Sequence, residues 1–173
     1  TLDLPVNRSH HASVMANGYV YVMGGYDGSS VQSTVYYGRA NPDGSISSWN
    51  TTTALPSNVE DATALVNNGY VYVIGGYDGS TESSVVYFAR LNADGTIGSW
   101  LKTAPGSFAL RNPAAVVANG WLYVMGGTTS GVVLDSFYSG KLNSDGSTMS
   151  WSSYSPALPG PRAGASAVAA NGY

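Results

Sequence analysis

The chain has 173 residues, length for about one domain, and carries a formal net charge of −3 with only 10% charged residues, low against the usual ~25%. No basic surplus is present to neutralise phosphates, so no nucleic-acid partner is expected. No apolar run reaches the ~20 residues that span a bilayer, and the absence of cysteine excludes disulfides and thiolate metal sites.

The first residues, "TLDLP", align with "TTALP" from Thr52 and read as a link that enters a structural unit. The first strand-like run is "HASVMA" from His11. Asn17-Gly18 follows, and Asn-Gly is a strong hairpin signal because both turn positions tolerate positive φ. The second run, "YVYVMGG" from Tyr19, is apolar at nearly every position, as suits a strand buried on both faces. Tyr26-Asp27-Gly28 opens a longer loop, and the third run is "STVYYGR" from Ser33. Asp43-Gly44 marks another tight turn. The fourth run, "ISSWN", centres on Trp49, and "ALP" from Ala54 leads onward.

The whole pattern then returns. "NGYVYVMGGYDGS" from Asn17 recurs as "NGYVYVIGGYDGS" from Asn68, 51 positions later, with a single difference, Met23 against Ile74. Trp49, Trp100 and Trp151 keep the frame, as do Gly24-Gly25, Gly75-Gly76 and Gly126-Gly127. Asp43, Asp94 and Asp145 keep it too, with the basic set Arg39, Arg90 and Lys141. "NGWLYVMGG" starts at Asn119, and a last "NGY" at Asn171 follows by 52, which one extra residue in the link after Trp151 explains. A period of this size signals a repeat architecture. The first run of each unit is small ("PAAVVA" from Pro113, "AGASAVAA" from Ala163), whereas the third and fourth carry the aromatic bulk. Small residues near an axis and large ones far from it describe wedge-shaped sheets, the blades of a β-propeller.

A Gly-Gly pair ending an apolar strand, an aromatic third strand, a Trp 24 residues after the pair and an "LP…R" link together resemble the kelch repeat. The resemblance covers essentially the whole chain. Arg8 and Arg162 fill the basic position of the link, while Val59 and Leu110 depart from it, and the third unit has "TTSG" from Thr128 in place of "YDG". The resemblance implies an all-β kelch-like β-propeller, of bacterial type, made of four-stranded antiparallel blades. The units are 1–53 (a blade with its preceding link), 54–104, 105–155, and 156–173 (a link and the first strand of a fourth blade), all in one propeller domain. About three and a quarter blades make a partial ring. The expected completion is further blades from the same longer chain, or other copies joining, for instance as two arcs of a six-bladed ring.

Antiparallel blades send the Asn-Gly and Asp-Gly turns to one face and the longer, varied connections to the other, where binding residues usually sit. The candidate binding residues are therefore Arg8, His10, His11, Tyr26, Asp27, Glu60, Asp61, Tyr77, Asp78, Arg111 and Asn112. No metal-ligand spacing accompanies His10 and His11, so no metal and no cofactor are expected. The three Asp-Gly pairs read as turns, and the three basic residues as exposed heads on apolar stems. What the resemblance implies first is a binding module whose loop face contacts a protein or glycan. An enzyme on a kelch-like ring (sugar oxidase, isomerase or sialidase-like) completed by missing blades is the alternative, and no catalytic residue is named for it. A structural repeat of a surface or filamentous assembly is a third reading. The Ser, Thr, Asn and Tyr surface points to an extracellular, cell-surface or periplasmic location. Asn7-Arg8-Ser9 and Asn50-Thr51-Thr52 fit the N-glycosylation pattern.

Overall fold

The computed structural model describes residues 2–104, 106–154 and 157–170. They fold as all-β structure, with three four-stranded antiparallel sheets. The first sheet is β1 (Ala12–Ala16), β2 (Tyr19–Met23), β3 (Val35–Arg39) and β4 (Asn50–Thr51), paired in chain order. The second repeats it with β5 (Thr63–Asn67), β6 (Tyr70–Ile74), β7 (Val86–Arg90) and β8 (Leu101–Lys102). The third contains β9 (Ala114–Ala118) and β10 (Trp121–Met125), then, beyond a small hairpin of β11 (Thr128–Thr129) and β12 (Val132–Val133), β13 (Phe137–Leu142) and β14 (Thr148–Ser153). These are the kelch-like blades of a partial propeller.

The hydrophobic cores lie between blades. One joins Tyr21, Met23 and Val35 of the first sheet to Val71, Val73, Ala89 and Leu91 of the second. The other joins Tyr72, Ile74 and Phe88 to Leu122 and Val124 of the third. Both faces of β6 are therefore covered, as its continuous apolar run requires. The Trp series supplies a second tie. Trp49, Trp100 and Trp151 donate their indole N–H to the carbonyls of Leu2, Thr53 and Ala104, at 3.1, 2.9 and 2.9 Å. Each acceptor lies 47 residues before its donor, on the link that enters the blade. The three indoles occupy equivalent sites of successive sheets.

The outermost strand differs from expectation. In the first two blades its ladder is only two residues long and starts after the Trp. Ile46 and Ile97 bridge Ala40 and Leu91, after which the chain leaves the ladder and Trp49 lies against Gly38. In the third blade the pairing runs over six residues with a register shift between Gly140 and Leu142. The third blade also replaces the Asp-anchored loop with the β11–β12 hairpin, turned at Ser130 and Gly131, both at positive φ.

Thr52, Thr103 and Tyr154 make equivalent backbone bonds to Val35, Val86 and Phe137, whereas Leu55 and Leu158 are equivalent in bonding Ser33 and Asp135. The extra residue of the final link therefore falls between Tyr154 and Leu158. Residues 163–170, expected as a strand, form no ladder. The "NGY" at 171–173 lies outside the described residues.

Candidate functional site

Both long connections of each blade meet on one rim. Ser9 and Tyr26 exchange backbone hydrogen bonds of 2.9 and 2.8 Å, Glu60 and Tyr77 bonds of 2.9 and 2.8 Å, and Arg111 and Thr128 bonds of 2.9 and 2.7 Å. The next link residue is left-handed each time: His10 (φ 54°), Asp61 (53°), Asn112 (53°) and Gly164 (64°). His, Asp and Asn are among the side chains that enter this region most readily. A backbone chain then runs along the rim. Asp61 N–H donates to His10 C=O at 2.9 Å, Asn112 to Asp61 at 2.8 Å, and Gly164 to Asn112 at 3.0 Å. One sequence period thus becomes one step between blades, and side chains about fifty residues apart become neighbours.

Arg111 exploits that step. Its Nε donates to Asp61 Oδ2, and its Nη2 lies 3.3 Å from Glu60 Oε1. Its guanidinium carbon sits 4.6 Å from the Tyr77 ring centroid, a cation–π contact. Glu60 and Asp61 are each only 8% exposed. Removing the cation would leave two buried carboxylates uncompensated. His10 approaches from the other side, its Nδ1 3.6 Å from Glu60 Oε2 and 3.9 Å from Asp61 Oδ1. With neutral imidazole the cluster carries one net negative charge.

The sequence profile of the KLHDC2/KLHL20/DRC7 Kelch-repeats domain matches residues 1–173. The chain belongs to the kelch-repeat family. It is 30% identical over 119 residues to the Kelch repeat and BTB domain-containing protein A55 of Vaccinia virus (strain Western Reserve), covering 68% of this chain and 20% of that protein. The Kelch repeat and BTB domain-containing protein 1 of Cowpox virus (strain GRI-90 / Grishak) is 29% identical, and that of Horsepox virus 28%, with the same coverage. The chain thus spans about a fifth of the length of these curated relatives. The expected bacterial type gains no support from these viral proteins. Kelch repeat domains are generally protein-interaction modules, which places interest on the rim of this kelch arc where side chains vary.

Of the eleven predicted site residues, five converge: His10, Glu60, Asp61, Tyr77 and Arg111. The others serve elsewhere. Asp27 accepts from the N–H groups of Ser29 and Ser30 at 2.8 Å each, and from Gln32 Nε2 at 2.7 Å. Asp78 accepts likewise from Ser80 and Thr81, at 2.7 and 2.8 Å. The N–H of Ser30, then that of Ser29, lowers the Asp27 pKa; Thr81, then Ser80, does so for Asp78. Both aspartates are therefore loop anchors. Arg8 lies over Tyr36, 5.6 Å from the ring centroid. Its Nε and Nη1, and His11 Nδ1, are buried without a hydrogen-bond partner among the described residues. Asn112 serves the rim through its backbone. Tyr26 lines a cleft of about 380 Å³ with Ser29, Ser30, Asn58 and Ser80, between the loops of two neighbouring blades.

A second polar cleft, of about 280 Å³, contains Ser57, Glu82, Tyr87 and Lys102. None of these is among the eleven predicted site residues. Ser57 Oγ and Tyr87 Oη lie 3.1 Å apart, and Lys102 sits over the Tyr87 ring. Glu82 also accepts from Ser130 N–H at 3.0 Å, tying the loop of one blade to the next. The only available signal was their place in or beside the long connections of the second blade.

Proposed function

We propose that this chain is part of a protein-binding kelch propeller whose contact surface is the loop rim, centred on His10, Glu60, Asp61, Tyr77 and Arg111. The observation that supports it is that the backbone of this rim repeats from blade to blade while its side chains do not. Equivalent positions hold Ser9, Glu60 and Arg111, then His10, Asp61 and Asn112. Arg111 and Tyr77 are the residue types that dominate protein interfaces, and here they stack on each other while remaining partly exposed. The partner is a protein segment with polar groups of both signs, matched to one guanidinium and two carboxylates.

The test is a displayed-peptide and protein screen against the propeller containing this chain, followed by substitution. Arg111→Ala is expected to weaken a selected partner by about 30-fold or more, the size of an interface hot spot. Arg39→Ala, an exposed change at the end of β3 toward the opposite rim, is expected to leave affinity within about twofold. A partner sensitive to Arg39 and indifferent to Arg111 contradicts the reading. Selection of glycans alone would move it to the glycan alternative.

A further inference from the structure

We propose that His10, Glu60 and Asp61 form a binding site for a divalent transition-metal ion of the zinc class, held across the step between the first and second blades. One ligand-type atom from each residue lies within 4.8 Å of the others. The two separations from His10 Nδ1, 3.6 and 3.9 Å, exceed hydrogen-bond length, about 2.7–3.2 Å. They lie near the spacing of about 3.4 Å between ligands round a tetrahedral zinc with bonds of about 2.1 Å. The side chains thus converge at ion-pair distance without hydrogen-bonding to one another, leaving room for an ion between them.

A second observation concerns the far side of the carboxylates. Glu60 and Asp61 are more than nine-tenths buried, and each uses one oxygen to meet Arg111. Among the described residues, Glu60 Oε2 and Asp61 Oδ1 accept no hydrogen bond, and both face His10. Arg111 therefore does what outer-shell donors do in metal sites: it fixes the carboxylates and leaves one oxygen of each for the ion. It also cancels one of the two negative charges, so the pocket meets the ion with a charge of −1. Imidazole with two carboxylates suits zinc-class ions, whereas calcium and magnesium take oxygen ligands. The His10 side chain is 56% exposed, so a fourth coordination position opens to water or to a side chain of a docked protein.

The site belongs to this junction alone among the described steps. At the next one the equivalent residues are Asp61, Arg111 and Asn112, and a guanidinium stands where Glu60 stood. The ligands are 50 and 51 residues apart in sequence, so no local motif announces them.

Titrating the chain with Zn²⁺ by calorimetry, and with Co²⁺ by visible absorption, tests the site without any protein partner, so its outcome is separate from that of the binding proposal. The expected result is one ion per chain and a tetrahedral Co²⁺ spectrum. His10→Asn keeps a residue type that Asn112 shows to be compatible with the left-handed backbone. It and Glu60→Gln are each expected to lower affinity at least about tenfold, with His11→Ala unchanged and circular dichroism confirming folded variants. No saturable uptake of either ion, undiminished uptake by His10→Asn, or an equal loss in His11→Ala would overturn the proposal.

Discussion

The two rims of the arc use the same repeat in opposite ways. On the turn rim both backbone and side chains recur. Asp43, Asp94 and Asp145 each accept the N–H of the residue two positions on, Ser45, Thr96 or Ser147, at 2.9–3.0 Å, and its hydroxyl at 2.7 Å. On the loop rim the backbone recurs, down to the left-handed residue of every link, while the side chains change. The chemistry that builds a blade is thus local and repeated. The chemistry available to a partner arises only where neighbouring blades bring non-equivalent side chains together.

The glycines of the two rims sharpen this contrast. Gly69 and Gly75 both have positive φ, at 77° and 65°. A Cβ at Gly69 meets nothing within 4 Å, so Gly69→Ala costs only the left-handed strain, about 1–2 kcal/mol. A Cβ at Gly75 would fall on the carbonyl of Leu110, in the link to the next blade. Gly75→Ala is therefore expected to cost about 3–5 kcal/mol, in the range reserved for forced rearrangement. Urea unfolding of both variants measures the difference, and equal losses would show that the loop rim is no more tightly built than the turn rim.

A smaller effect separates two equivalent tyrosines in the cores. Burial pushes the phenols of Tyr21 and Tyr72 up to about 12. The neutral forms are the ones the folded state holds, so stability is full below the ordinary phenol value and falls as pH rises from about 10 toward about 12. Tyr72 donates to Gly146 C=O at 2.9 Å, whereas the Tyr21 hydroxyl has no partner among the described residues. Tyr72→Phe is expected to cost about 1 kcal/mol and Tyr21→Phe close to nothing, by the usual worth of a buried hydrogen bond. Thermal melts of both variants at neutral and alkaline pH check the ordering.

The smallest effect lies on the turn rim in acid. Hydrogen bonds from Ser45, Thr96 and Ser147, hydroxyl first and then N–H, lower the pKa of Asp43, Asp94 and Asp145. For such depressed carboxylates the stabilisation is present above the unfolded value, about 4, and is lost as pH falls through the lower folded values. Asp43→Asn retains an acceptor and removes the titration. It should therefore flatten the acid limb slightly without changing stability at neutral pH, as an acid titration followed by circular dichroism would show.

Much of this architecture is written in local sequence. Asn-Gly, Asp-Gly and Gly-Gly state where φ must be positive, and Trp at a fixed interval marks the inter-blade tie. The length of the outermost ladder was less legible, because it depends on how Trp49 packs against Gly38 rather than on strand propensity. The site was half legible. Equivalent positions in the variable connections do point to His10, Glu60, Asp61, Tyr77 and Arg111. Their convergence, and the diversion of Asp27 and Asp78 into loop anchoring, depend on the step between blades and on local turn geometry. Neither has a motif of its own.

Hydrogen–deuterium exchange on the propeller with and without a bound protein partner tests the central claim most directly. Protection on binding is predicted at Tyr26–Ser30, Glu60–Asp61, Tyr77–Thr81 and Arg111–Asn112, with the turns at Asn17-Gly18, Asp43-Gly44 and Asp94-Gly95 unchanged. Protection centred on those turns, with the loop rim exchanging as in the free protein, would contradict the account.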